Sequence, residues 1–170
     1  MTIHDTHPFA ANGQPRRPLR RFRGRLPAPV TIWSAHTGRG PVGLTVSSML
    51  VADGEPGEVV GLIDPASGLF DAVSASGRWA VSLLGYADRQ LSDAMAGLAP
   101  APGGSFRLAT WRDTDWGPVL ATSPGWLGAR LLDQPVEVGW SMLLRGVVEQ
   151  VEIDEEQAPV AYVRGRYREL

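Results

Sequence analysis

The chain contains no cysteine and no lysine, and all 16 of its basic residues are arginine. Without thiols there is no thiolate nucleophile, no disulfide framework and no thiolate-ligated metal. Without lysine there is neither a P-loop phosphate ligand nor a Schiff-base amine. Histidine is almost as scarce. His4, His7 and His36 all fall in the first quarter, so a zinc site or a Ser-His-Asp triad would have to be built on His36. No apolar run reaches the ~18 residues a membrane span needs, and the N-terminus lacks a signal-peptide core. The expectation is a cytoplasmic protein with no membrane partner, poorly supplied for hydrolytic chemistry.

What is present fits one domain. The 170 residues are 44% hydrophobic with a net charge of −2, and a chain of this size buries roughly 70% of its unfolded surface. The segment "RRPLRRFRGR" (16–25) packs six arginines into ten residues. Such a run serves as a nucleic-acid or anionic-lipid arm, as a solvated leader, or as a source of contacts to a nucleotide's phosphates. The acidic balance elsewhere favours the leader. Residues 1–21 are therefore expected to be a flexible Arg-rich tail without a nucleic-acid partner, ahead of a domain over 22–170.

Within that domain "PVTIWSA" (29–35) predicts a strand, "HTGRG" a turn, and "PVGLTVSSMLVA" (41–52) the returning strand of a hairpin. "EVVGLID" (58–64) is apolar enough for burial on both faces. Over 64–77 the period changes. Asp64 or Ser67 caps a helix, Leu69, Phe70 and Val73 form its apolar stripe, and Gly77 stops it. "RWAVSLLG" (78–85) is a strand, and "ADRQLSDAMAG" (87–97) a second short helix with Leu91, Ala94 and Met95 facing inward. After a Pro/Gly loop at 98–105, "FRLATWRDTDWGPVL" is expected to run over the surface. Two long antiparallel strands fill 125–153, joined near "QPVEVGW", and "PVAYVRGRYREL" supplies a last strand. Six or seven mostly antiparallel strands with two short helices make a mainly β fold, a closed or partly closed barrel.

One stretch stands out. "GLTVSSML" (43–50) reads as a strand, yet alternation would put Thr45 and Ser47 on one face and Ser48 on the other. Hydroxyls on both faces suit a hydrophobic core badly, because an unpaired buried hydroxyl costs ~1–3 kcal/mol. They face water on an edge strand, or they bind a polar ligand.

The order of these motifs, from "LPAPVTIWSA" through "GRGPVGLTVSSMLVADGEPGEVVGLIDPASGLFDAVSASGRWAVSLLGYADRQLSDAMAG" to the closing "PVAYVRGRYREL", resembles the flavin reductase-like FMN-binding split-barrel family over about residues 22–170. The resemblance implies a six-stranded Greek-key split β-barrel that forms homodimers, with FMN or FAD near the subunit interface and NADH or NADPH as hydride donor. Many members supply reduced flavin to a separate monooxygenase. It assigns cofactor binding to Thr45, Val46, Ser47, Ser48 and Met49, whose backbone N–H groups and hydroxyls would meet the ring edge, ribityl chain and phosphate. It adds Leu62, Ile63, Asp64 and Ser67, the last at a helix start suited to a phosphate, and Arg89 for flavin or nicotinamide. No catalytic side chain and no metal are implied, since hydride transfer needs alignment rather than a protein acid.

Two departures from the family pattern matter. Ser82 stands where Asn is common. Trp140-Ser141 replaces a common Asp-His pair on the strand facing the nicotinamide site, where Trp140 would stack on a ring or fill the barrel end. That change leaves two rival readings: a related barrel using another redox partner or a deazaflavin, and a flavin-binding scaffold without turnover. Trp33, Trp79, Trp126 and Trp140 are also more large aromatics than one small core easily hides, which supports the expectation of a homodimer.

Overall fold

A computed structural model describes residues 18–155 and 157–170. Of the expected tail, residues 1–17 lie outside the described residues, and the rest falls in a short helix, α1 (Pro18–Arg23).

The strands in chain order are β1 (Ala28–Pro29), β2 (Thr31–Thr37), β3 (Gly40–Val46), β4 (Met49–Ala52), β5 (Glu58–Ile63), β6 (Arg78–Leu83), β7 (Trp111–Arg112), β8 (Val119–Leu120), β9 (Gly125–Leu131), β10 (Val136–Val138), β11 (Ser141–Ile153), β12 (Val160–Val163) and β13 (Arg166–Glu169). Two further helices, α2 (Gly68–Ser76) and α3 (Arg89–Met95), flank β6. The main sheet runs β3-β2-β6-β9-β11-β5-β4, every pair antiparallel, with β10 added beside β11. Its two end strands, β3 and β4, are consecutive in the chain and separated only by Ser47 and Ser48. A sheet whose ends are joined by two residues has to curl on itself. The fold is thus mainly β, a curled half-barrel, as the motif order implied.

Glycines let the barrel interior hold tryptophan. Trp33 on β2 and Trp79 on β6 are fully buried and stacked, with centroids 5.5 Å apart and planes 17° from parallel. Their rings lie over Gly61 on β5 and Gly146 on β11, where any side chain would overlap them. Val46, Val59, Ile63 and Leu144 pack around the pair, and Leu69, Ala72 and Val73 of α2 cover one side. Ser67 caps α2 by accepting from Phe70 N–H, and Gly77 ends it in a left-handed turn at φ 70. A second cluster of Ile32, Leu91, Met95, Leu120 and Val160 lies under α3.

Several expectations need correcting. The 41–52 strand is two strands, broken at Ser47–Ser48. β5 buries Val59, Gly61 and Ile63 but leaves Glu58, Val60 and Leu62 half-buried, so only one face is core. The surface stretch 106–120 contributes fully or nearly buried Val119 and Leu120. The final segment is a hairpin that joins β1 in a separate three-stranded sheet. Trp33, Trp79 and Trp126 are all buried within one chain, and only Trp140 is exposed, at 69%. The count of tryptophans therefore lends no weight to a dimer.

Candidate functional site at the barrel seam

Two residues cannot extend both end strands, so backbone groups at Ser47 and Ser48 drop out of the ladders. Ladder pairing in β3 stops at Val46↔Thr31, and in β4 it begins at Met49↔Gly61. Across the gap, Leu62 N–H donates to Ser48 O at 3.0 Å and Ser48 Oγ donates to Leu62 O at 2.8 Å. This reciprocal pair latches the seam to β5. It also brings together the two segments singled out from the sequence, 45–49 and 62–67.

The hydroxyls divide by role. Thr45 Oγ1 donates to the Ser92 carbonyl of α3 at 2.6 Å, so it anchors that helix to β3. Ser48 makes the latch. Ser47, half-buried, makes no side-chain hydrogen bond among the described residues. Val46 and Ile63 turn their side chains into the core, so any ligand contact from them must come from the backbone. Thr31 Oγ1 donates its proton to Val46 O at 2.6 Å and lies 3.4 Å from Met49 Sδ. The buried Thr31 thus fixes both sides of the break.

β5 leads straight into a tight turn. Asp64 Oδ1 accepts from Ala66 N–H at 2.8 Å, while its carbonyl accepts from Ser67 N–H at 3.0 Å and Ser67 Oγ at 2.7 Å. Asp64 therefore shapes the turn, and Ser67 is the helix cap. The backbone bonds closing this turn use neither Gly68 nor Leu69 N–H, which leaves donors at the start of α2 as expected for a first helical turn. The register Met142↔Ile63 brings the start of β11 beside Asp64. Trp140 and Ser141 sit at the tip of the β10–β11 hairpin, next to the second segment, and Trp140 is exposed rather than part of a barrel-end core.

Arg89 is not part of this cluster. Its guanidinium donates to Tyr86 O at 3.0 Å and stacks over the Tyr86 ring at 4.7 Å, lining a separate cleft of about 260 Å³ with Gln157 and Glu169. Ser82 Oγ is buried and accepts from Leu120 N–H at 3.0 Å, which makes it a structural residue. Reading the sequence missed Ser92 and Tyr167. The Tyr167 hydroxyl donates to Asp93 at 2.6 Å and lies 3.0 Å from Ser92 Oγ; burial, then the Asp93 bond, push its pKa well above the usual phenol range. Nothing in the helical period of 87–97 separates Ser92 from a solvent-facing serine.

The donor set fits a flavin. The chemistry of that cofactor asks for N–H groups at a ring edge, hydroxyls along a chain and an anion site at its end. The seam offers unladdered backbone at Ser47–Ser48, the Ser47 hydroxyl, and the α2 N-terminus within a few residues of the latch.

Comparison with known proteins follows the same line. The family described as "Flavin reductase like domain" matches residues 23–170. The NADH:FMN oxidoreductase of Rhodococcus erythropolis is 32% identical over 160 residues, covering 91% of this chain and 80% of that protein. Among solved structures, the NADH:FAD oxidoreductase SgcE6 of Streptomyces globisporus matches with a TM-score of 0.80 at 21% identity, covering 89% of this chain and 90% of that one. The styrene monooxygenase flavin reductase SMOB of Pseudomonas putida matches with a TM-score of 0.79 at 20% identity over 89% and 96% of the two chains. The chain belongs to the flavin reductase like domain family.

Proposed function

We propose that this protein is an NADH-dependent flavin reductase that takes FMN at the seam and supplies reduced flavin to a partner monooxygenase. The single observation that carries the site is the Ser47–Ser48 break, where the backbone leaves both ladders and the Ser47 hydroxyl has no partner among the described residues. The nicotinamide and flavin choice is supported by the name of the Rhodococcus relative, and the monooxygenase partner by those of neighbours such as SMOB.

The chemistry supplied by a bound flavin is acceptance of hydride from the nicotinamide. The protein's part is binding and alignment. Ser47 and the N–H groups of Ser47–Met49 hold the ring edge and ribityl chain. Ser67 and the first N–H groups of α2 hold the phosphate. The Ser48–Leu62 latch keeps these two groups in register, and the Trp140–Ser141 tip borders the place where the nicotinamide docks. No side chain need transfer a proton in the hydride step.

The protein works as a homodimer in the cytoplasm, with residues 22–170 as the functional domain. Exposed Leu50 and Val51 on the sheet-edge strand β4, together with Val136 and Val138 on the hairpin, support a second copy docking there. No described helix is long and apolar enough to cross a membrane.

The test is NADH oxidation with FMN under anaerobic stopped-flow conditions, alongside FMN titration of the Ser47→Val/Ser48→Val double variant. Losing the Ser47 hydroxyl from the ligand and the Ser48 latch that positions it, together ~1–3 kcal/mol, should weaken FMN binding at least about tenfold. Unchanged affinity would remove the seam as the site. A protein inert to both nicotinamides would remove the activity.

A further inference from the structure

The charge of this chain is sorted along its length. Residues 39–163 hold seven arginines against sixteen carboxylates, a net −9, while 16–25 holds six arginines and no acid. The C-terminal stretch 164–170 adds Arg164, Arg166 and Arg168 against Glu169. The fold brings the described part of the first stretch, 18–25, against the second. Gly24, immediately after α1, accepts from Arg164 N–H at 2.7 Å, and Ala28 and Pro29 pair with Tyr162 and Ala161. Arg166 and Arg168 lie on the face of β13 opposite Tyr167, whose ring is turned toward α3. Arg20 and Arg23 already have partners, so the argument rests on Arg21, Arg25, Arg164, Arg166 and Arg168, all exposed.

Apolar side chains are set among these cations. Leu19, Phe22 and Leu26 are 77%, 64% and 53% exposed. Leu19 and Phe22 stand three residues apart on α1, so they share a face. Keeping such side chains in water is unfavourable, and among the described residues no core cluster takes them in.

We infer that this end of the molecule, α1 with the β12–β13 turn, is a docking surface for an acidic protein face that carries an apolar groove. Arginine and large apolar anchors inside a charged rim are the make-up of protein interfaces. A membrane surface is less suited. A helix of six residues offers two or three apolar side chains, less than the single acyl chain that by itself binds only marginally. A nucleic acid would be drawn by the arginines but would leave the apolar anchors unused and meet the net −9 of the remaining chain. The inference does not depend on the flavin site, and none of its residues belongs to that site.

The experiment uses the full chain and four probes: a random glutamate–tyrosine copolymer, polyglutamate, vesicles of phosphatidylcholine with phosphatidylglycerol, and a short DNA duplex. The copolymer should bind about tenfold more tightly than polyglutamate, and binding should weaken as salt rises from roughly 50 to 300 mM. The triple change Arg164→Glu/Arg166→Glu/Arg168→Glu should abolish binding to both polypeptides. Leu19→Ser/Phe22→Ser should remove only the copolymer's advantage. Thermal midpoints within about 2 °C of the parent establish that both variants are folded. The inference is overturned by copolymer binding no tighter than polyglutamate, by tighter binding to vesicles or DNA, or by indifference to either variant. It is equally overturned if the triple change removes self-association instead, since the occupant is then a second copy.

Discussion

Gly61→Ala tests the packing that shapes the barrel. A methyl group at Gly61 would stand 2.5 Å from Trp33 Cη2 and 2.7 Å from Cζ2. Trp33 has no room to retreat, because its ring is fully buried and stacked on Trp79, and the Trp79 ring fills the space over Gly146. Overpacking of this kind costs about 1–3 kcal/mol. Loss of glycine's freedom in the unfolded chain returns about 0.4–1 kcal/mol. The net is about 1.3 kcal/mol, or a fall of roughly 3–5 °C in Tm for a chain of this size. A Trp33→Phe background removes the two clashing atoms, so Gly61→Ala added there should cost less than about 0.5 kcal/mol. Chemical denaturation of the four proteins gives the cycle directly. Additive losses would show that the ring and the glycine do not meet, and the account of the core would be wrong.

Three other predictions concern the site and its surroundings. Ser67→Ala removes the α2 cap and should cost ~1 kcal/mol of stability; if Ser67 also holds a phosphate, FMN affinity should fall while riboflavin affinity stays put, as parallel titrations would reveal. Trp140→Asp with Ser141→His should lower KM for NADH more than it raises kcat, the mark of regained ground-state binding; a micromolar KM in the parent would mean the hairpin tip has no bearing on the nicotinamide. Glu149 is held below the usual carboxylate range by the Trp116 indole and then Arg130, Glu152 by the Trp126 indole and then Arg112, and Glu58 by Arg145. Groups with lowered folded values stabilise above their unfolded value of about 4.5 and lose that contribution as pH falls through the folded values; Tm should drop below about pH 4.5, and Trp116→Phe should make the drop shallower.

What could be read from the sequence was local. Ser67 and Gly77 bound α2 because cap chemistry acts within one turn, and Leu91, Ala94 and Met95 are buried because a 3.6-residue period needs no distant partner. The break at Ser47–Ser48 was not legible. Nothing in "LTVSSMLV" opposes a continuous strand; the chain divides there because β3 pairs with β2 while β4 pairs with β5, and pairing partners are a long-range fact. The same holds for Thr45, whose acceptor is a carbonyl 47 residues away. Trp140 left two readings open. Of its two readings, a ring-stacking residue or a barrel-end core aromatic, the core one falls, because a two-residue turn with Gly139 at φ 62 carries it out on a hairpin tip. "PVAYVRGRYREL", expected as one last strand, is instead divided at Arg164-Gly165 into a hairpin.

The site and the closure of the barrel are one feature of the fold. Trp33 stands on β2 and Gly61 on β5, four ladder steps apart along the sheet, and their contact across the interior sets how tightly the sheet curls. That curl determines how near Ser48 comes to Leu62, and the latch between them ties the Ser47–Ser48 break to the end of β5 that leads into α2. Hydroxyls on both faces of the 43–50 stretch follow from this. A seam between sheet ends leaves backbone groups outside both ladders, and serine can latch the gap while still presenting acceptors to a polar ligand. It follows that Gly61→Ala should disturb more than stability. Widening the curl moves the two binding segments apart, so FMN affinity should fall in the folded variant at temperatures well below its Tm, and Trp33→Phe should restore it. A variant that loses stability but keeps its FMN affinity would separate closure from binding.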